Sequence, residues 1–294
     1  MTVVGVLHPG SMGAAVAAQA CLGGAEVLWC PAGRSSATKE RALMHGLTAT
    51  NSLGELVERA DVILSICPPA YAEDVAVEVS AYPFAGVYVD GNAIAPATMA
   101  RVYAILSRTE ATVVDGSVIG SPPSASKSTR LYLSGPGEAL PPVAALFDGT
   151  AVHAHALPGG IGRASALKLS YSSYQKASRV LAAVSYALAR DYGVEDELLD
   201  IAQGRSTSYL AETAYIPKVA ARSWRWGPEM DEVASALREA GLPTDLAEAS
   251  ASVMSRWDSL RDAPSSIPEA LEQLHTAPNS EPAQERGGCG QLHP

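Results

Sequence analysis

Val3-Val4-Gly5-Val6-Leu7-His8-Pro9-Gly10-Ser11-Met12-Gly13 decides the fold. The run reads as a short apolar strand, a tight turn and the start of an alanine-rich helix. Such a turn aims free backbone N–H groups and the positive end of a helix dipole at one spot, which suits a pyrophosphate. A G-x-G-x-x-G fingerprint would place glycines at 8, 10 and 13; here those positions hold His8, Gly10 and Gly13. Gly10 allows a close approach of backbone to phosphate, and Gly13 allows close packing of helix on sheet. His8 lacks the freedom of the missing glycine, so it either takes a less common backbone conformation or reshapes the turn. Its side chain either fills the turn or touches cofactor phosphates or substrate.

The second strand ends at Val27-Leu28-Trp29-Cys30 and runs into Pro31-Ala32-Gly33-Arg34-Ser35-Ser36. An Asp or Glu at this place would hold a ribose 2′-hydroxyl, whereas an arginine accommodates a 2′-phosphate. The nearest carboxylates, Glu26 and Glu40, sit at the wrong end of the strand and inside the next helix. Arg34, Ser35, Ser36 and Thr38 thus form either a 2′-phosphate corner or a solvated loop capping the next helix. The first reading predicts NADPH or NADP as the cofactor.

Working outward, strand and helix signals alternate through the first half. Strands are expected at 3–7, 26–30, 47–49, 62–66, 87–90, 112–117, 131–134 and 152–155. Helices are expected between them at 12–22, 37–45, 53–59, 71–80, 96–106 and 138–146. Continuous apolar runs such as Val62-Ile63-Leu64-Ser65-Ile66 suit a parallel sheet buried on both faces. After Pro158-Gly159-Gly160 no strand signal remains. A helix of about 30 residues runs from Ile161 to Tyr192, about 45 Å at 1.5 Å per residue. Further helices are expected at 195–203, 207–221, 228–240, 244–258 and 266–274. The chain is therefore read as α/β: an N-terminal Rossmann-type doubly wound sheet, then an all-α C-terminal domain, joined by a long inter-domain helix. The expected divisions are a dinucleotide-binding domain at 1–158, a helical substrate and dimerisation domain at 159–276 and a disordered polar tail at 277–294.

Composition narrows the partners. Hydrophobic residues make up 47% of 294, enough for a sizeable core. With 31 acidic against 21 basic residues, a net charge of -10 and no basic block, nucleic acid and membrane partners are not expected. The cysteines Cys21, Cys30, Cys67 and Cys289 are scattered, which fits reduced thiols and a cytoplasmic protein without a structural or catalytic metal. Neither a signal peptide nor a membrane-spanning stretch is expected at the N-terminus.

Further site candidates lie at strand exits, where open α/β sheets bind ligands. Cys67-Pro68 closes the fourth strand. Asn92 follows the fifth and either serves a carboxamide or ribose or satisfies its own turn. Ser117-Val118-Ile119-Gly120-Ser121-Pro122-Pro123 reads as a loop whose N–H groups at Gly120 and Ser121 face a substrate oxygen. On the long helix, Lys168, Ser172, Gln175 and Arg179 share one face, with Tyr171 beside it. A partly desolvated lysine at a domain junction suits a proton-transferring role.

Together these residues resemble the β-hydroxyacid dehydrogenase superfamily, with its 6-phosphogluconate dehydrogenase-like and imine reductase members, over about residues 3 to 275. Val6 to Gly13 resembles the G-L-G-x-M-G turn. Asp115 to Ser121 resembles the D-x-P-V-S-G-G substrate loop, with Ile119 where the family has serine. Gly162 to Ser172 resembles G-x-G-x-x-x-K-x-x-N-N, with Ala164, Tyr171 and Ser172 replacing a glycine and two asparagines. The resemblance implies Lys168 as general acid/base, Tyr171 and Ser172 as substrate-orienting residues and a homodimer. The residues and the resemblance together place His8, Pro9, Gly10, Ser11, Met12, Gly13, Arg34, Ser35, Cys67, Pro68 and Asn92 at the cofactor. Ser117, Ile119, Gly120, Ser121, Gln175 and Trp226 would serve the small-molecule substrate; Trp224 and Trp226 otherwise pack in the core or an interface. The expected activity is NADPH-dependent hydride transfer to a small carbonyl or hydroxy substrate. Imine reduction, or a catalytically silent NADPH-binding protein, is the alternative.

Overall fold

Short apolar runs closed by turn residues build eight strands: β1 (Val3–Val6), β2 (Glu26–Trp29), β3 (Thr48–Ala49), β4 (Val62–Ser65), β5 (Val87–Asp90), β6 (Thr112–Ser124), β7 (Lys127–Ser134) and β8 (Val152–Ala156). The helices between them are α1 (Ser11–Leu22), α2 (Ser36–Met44), α3 (Leu53–Arg59), α4 (Ala72–Ser80), α5 (Pro96–Leu106) and α6 (Leu140–Ala145). Then follow α7 (Arg163–Asp191), α8 (Glu195–Gln203), α9 (Ile216–Glu239), α10 (Asp245–Met254) and α11 (Ile267–Glu272). The computed structural model describes residues 1–204, 209, 213–239 and 241–275. The tail expected at 277–294, Cys289 and most of the residues expected to open a helix at Thr207 lie outside the described residues.

The strands form one sheet in the order β3-β2-β1-β4-β5-β6-β7-β8. All neighbours are parallel except β6 and β7. Alternate residues face opposite layers. Val27, Trp29, Val62 and Leu64 join one core cluster, while Leu28 and Ile63 join the other. Helices cover both faces, which is why these strands read as unbroken apolar runs. Strand order reverses at β1, which lies between β2 and β4. Ligand crevices form at such a switch point.

Contacts divide the chain into two compact units, 1–173 and 174 onward, so the first turns of α7 belong to the first unit. In the second unit Ala220, Trp257 and Ala270 form one small core, and Ala234, Leu237 and Ala247 form another. The two helices expected on either side of Gly227-Pro228 are one, α9. Burial of Ala220 before the Gly-Pro pair and of Ala234 and Leu237 after it outweighs the lost backbone hydrogen bond.

The stretch 118–123, expected as a loop, is strand. β6 runs on to Ser124 and pairs antiparallel with β7, from Asp115↔Ser134 to Ser124↔Lys127. The register slips between Gly120 and Ser124, a bulge that holds Pro122 and Pro123 without spoiling the ladder. Gly120 has φ +143°, and a Cβ there would press on Thr129.

A buried carboxylate ties this sheet to α7. Asp115, fully buried, accepts at Oδ2 from the N–H groups of Gly162 (2.9 Å) and Ser165 (3.0 Å) and from Ser134 Oγ (3.1 Å). Its Oδ1 accepts from Ser165 Oγ at 2.7 Å. Ser134 Oγ in turn accepts from Ala164 N–H at 3.0 Å. The first-turn donors of α7 thus meet a negative group supplied by β6, a cap made across the fold. Next to it in register stands Asp90, also buried. Its Oδ1 accepts from Asn92 N–H at 3.0 Å, while Oδ2 has no partner. Burial, helped by the charge of Asp115, pushes the Asp90 carboxyl up to about 7.

Two stability measurements test this arrangement. Asp115→Ala strands buried N–H and O–H donors, so chemical denaturation should show a loss of about 3 kcal/mol or more. An unchanged midpoint removes the cap from the account. For Asp90, a folded value above the ordinary carboxyl range means stability is full below about pH 4 and declines as pH rises through about 7. Asp90→Asn should remove that decline, a difference of at most about 4 kcal/mol between acid and alkaline limits. Parallel pH curves for the two proteins would contradict it.

Candidate cofactor and active site

At the carboxyl ends of β1, β2 and β3 the structure opens a hollow of about 420 Å³. Leu7 and His8 from the β1 exit, Cys30 and Arg34 from the β2 exit, and Asn51 line it, with Glu78 from α4. An adjoining hollow of about 410 Å³ shares His8, Arg34 and Glu78 and adds Pro68, Tyr71 and Asp74. Both sit at the reversal of strand order.

The turn above β1 keeps ordinary backbone geometry. Among the described residues only Asp262 combines a side chain with a positive φ, so of the two expectations for His8 the strained backbone does not occur. The chain turns by a Gly10 N–H bond to the His8 carbonyl, 2.7 Å. A Cβ at Gly13 would collide with that same carbonyl, which explains why this position holds glycine. Gly10 is the N-cap of α1, in extended backbone, and a Cβ there would meet only open space. Ser11 is exposed at the start of α1 and Met12 packs against the core. Pro9 is buried, and its carbonyl accepts from Arg41 Nη1 at 3.2 Å.

Two buried nitrogens at the hollow lack partners, His8 Nδ1 and Arg34 Nε. Burial, and then the Arg34 guanidinium, hold the His8 imidazole down at about 4. Orphaned polar atoms of this kind call for a ligand. Together with the open space before Gly10, they fit a dinucleotide whose phosphates meet the α1 N-terminus and whose adenosine end meets Arg34. Ser35 is occupied otherwise: its Oγ caps α2, accepting from Thr38 N–H at 3.3 Å.

Asn92 is also committed. Its Oδ1 accepts from Cys67 N–H at 2.6 Å and its Nδ2 donates to Ser65 Oγ at 3.3 Å. The residue is buried, so its amide fixes the Cys67-Pro68 exit instead of offering itself to a ribose. Burial pushes the Cys67 thiol up to about 11, and Pro68 is exposed.

On the other side of the sheet order, the middle of β6 and the first turns of α7 bring Lys168 to Val118. The ammonium Nζ donates to the Val118 carbonyl at 2.7 Å. Lys168 lies one turn beyond Ser165, the residue held by Asp115. Ser117, next to that carbonyl in the chain, is fully buried with an unpartnered Oγ. Ile119 is half-buried, while Gly120 and Ser121 are exposed strand residues in the bulged part of β6. Ser172 is buried and Tyr171 exposed on α7. Gln175 on α7 and Trp226 on α9 belong to the second unit, each half-buried. Also there, Trp224 donates from Nε1 to Asp262 at 3.1 Å and lies under Arg261 at 3.8 Å.

Sequence reasoning missed Asp74 and Glu78, because their α4 positions reach the hollow only through the fold. It also gave Asp115 no role of its own; a carboxylate inside the apolar run Val113-Val114 was the available signal. Among the described residues no cluster suits a metal ion, and no helix is long and apolar enough to cross a membrane.

Residues 3–157 match the NAD binding domain of 6-phosphogluconate dehydrogenase, and residues 189–257 match a domain of unknown function, DUF1932. An uncharacterized 28.5 kDa protein in the 7S RNA 5′ region of Methanothermus fervidus is 29% identical over 176 residues. The alignment covers 60% of this chain and spans 66% of that relative's length. A reductive aminase from Aspergillus terreus, solved with NADPH and ethyl levulinate, shares 17% identity at a TM-score of 0.72, covering 94% of this chain and 100% of that one. Mycobacterium tuberculosis 3-hydroxyisobutyrate dehydrogenase with L-serine shares 19% identity at a TM-score of 0.60, over 94% and 100%. At such identities the likeness is one of fold. The turn after β1, the hollow at the strand reversal and a sequence match across more than half its length agree: the chain belongs to the family of the NAD-binding domain of 6-phosphogluconate dehydrogenase.

Proposed function

We propose that this protein is an NADPH-dependent reductase of small carbonyl compounds, working as a cytoplasmic homodimer. The family match and the likeness to dehydrogenases and imine reductases support an NAD(P)-dependent oxidoreductase. The finer reading rests on one observation: Arg34, with Nε buried and unpartnered, lines the hollow at the β2 exit. A guanidinium there suits a phosphomonoester on the ribose.

A bound nicotinamide supplies the hydride. Gly10 and the α1 N-terminus would hold the diphosphate, and Gly13 keeps that helix close to the sheet. Lys168 would deliver the proton to the substrate oxygen from Nζ, which the Val118 carbonyl positions at 2.7 Å. Ser117, one residue before that carbonyl, carries a fully buried Oγ without a partner, which would serve the substrate. Tyr171 and Ser172 follow on the next turn of α7 and would orient the substrate. The half-buried Ile119 offers no hydroxyl to a carboxylate, which favours a substrate less anionic than a phosphorylated sugar acid. A proton donor at Nζ serves a carbonyl oxygen as hydride arrives, and the same geometry would serve the nitrogen of a C=N bond; imine-reducing relatives often lack this lysine, and on that ground we favour C=O.

Titration of NADPH against NADH tests the cofactor assignment without a substrate. NADPH should bind tighter by about tenfold or more, equivalent to about 1.4 kcal/mol. Arg34→Ala should remove that preference and leave NADH unchanged; equal affinities in the parent protein overturn the assignment. Single-turnover oxidation of bound NADPH with 3-oxo acids and cyclic imines tests the chemistry. Lys168→Ala should lower the productive rate by about 10²–10⁴ while NADPH affinity holds. An unchanged rate removes the lysine from the reaction, and inertness across the panel leaves a binding protein.

A further inference from the structure

His8 stands at the end of β1 where the fingerprint has its first glycine, yet its backbone is unstrained. The substitution therefore adds a side chain without distorting the turn. That side chain lines both hollows together with Arg34. Each residue contributes one buried nitrogen without a partner, Nδ1 and Nε.

The surrounding charges set a constraint. From α4, Asp74 and Glu78 line the adjoining hollow, both exposed, with Tyr71 just before that helix. From the β2 exit come Cys30 and Arg34. Arg41 on α2 is engaged with the Pro9 carbonyl. With imidazole neutral, Arg34 is the one cation among the described residues lining the two hollows, against two carboxylates. A phosphomonoester, carrying about two negative charges at neutral pH, would enter a region already negative. One proton on the imidazole brings the lining to two positive against two negative charges and supplies a second charge-assisted donor.

We infer that His8 and Arg34 form a two-residue clamp for a phosphomonoester on the adenosine ribose, and that filling the clamp draws a proton onto the His8 ring. The inference rests on the NADPH reading and adds a proton to its binding equilibrium. In the free protein, burial and then Arg34 keep His8 uncharged above about 4. An adjacent dianion raises that value. Between about 4 and the raised value, the complex holds a proton that the free protein lacks, so affinity increases as pH falls. The ligand's own second ionisation, near about 6, works the opposite way as its charge is lost. A variant that keeps the ligand and removes the imidazole separates the two.

The experiment is calorimetric titration of NADP⁺ and NAD⁺ into the full chain from about pH 6 to 8, in buffers of different ionisation heat. The parent protein should take up a substantial fraction of one proton with NADP⁺ at about pH 6.5 and none with NAD⁺. His8→Asn should abolish the uptake and weaken NADP⁺ by about tenfold at that pH, with NAD⁺ unchanged. His8→Gly, which restores the fingerprint, gives a second variant with the same expectation should the asparagine protein misfold. NADP⁺ preference with equal proton uptake in parent and variants overturns the clamp and leaves the Arg34 reading standing. Equal binding of the two coenzymes removes both.

Discussion

A single buried carboxylate organises the half of the sheet that carries β6 and the start of α7. Asp115 leaves β6 pointing at the start of α7, where the N–H groups of Gly162 and Ser165 converge on it. Peptide N–H groups and two serine hydroxyls meet its charge. Because those donors belong to the first turn of α7, the azimuth of the helix is set there. Lys168 follows one turn later and reaches the Val118 carbonyl of the same strand. Strand, helix and lysine are thus one unit of geometry, and a lysine placed this way owes its position to backbone.

The cofactor half works by a different rule, the allocation of empty space. Gly13 is required by a carbonyl that leaves no room for a side chain, and Gly10 stands before open volume. The first keeps α1 close to β1 and the second keeps its positive end reachable. Asn92 and Ser65 hold the Cys67 turn from behind. A residue that the sequence offers as a ligand thus serves as scaffolding.

Much of the fold was legible because local signals agree with it. Val87–Asp90, Leu53–Arg59 and Pro96–Leu106 occur with the bounds their apolar periods and early cap or proline imply. What escaped depends on partners far along the chain. Pro122 and Pro123 read as loop, yet a bulge opposite β7 admits them. Gly227-Pro228 reads as a break, yet burial on both sides keeps α9 whole. At the site, Gly10, Gly13, Arg34 and Lys168 were legible from the motif and its spacing. The partners of Asp115 lie 19 to 50 residues away, and no local pattern encodes them. Asp74 and Glu78 look like an ordinary solvated helix face until α4 is laid beside β1.

Cys67 carries one more consequence. It lies at the exit of β4, and burial keeps its sulfur protonated far above neutrality. A thiol in that state is a poor nucleophile toward peroxide or electrophiles. Oxidants that attack thiolates therefore act slowly on the turn at the β4 exit.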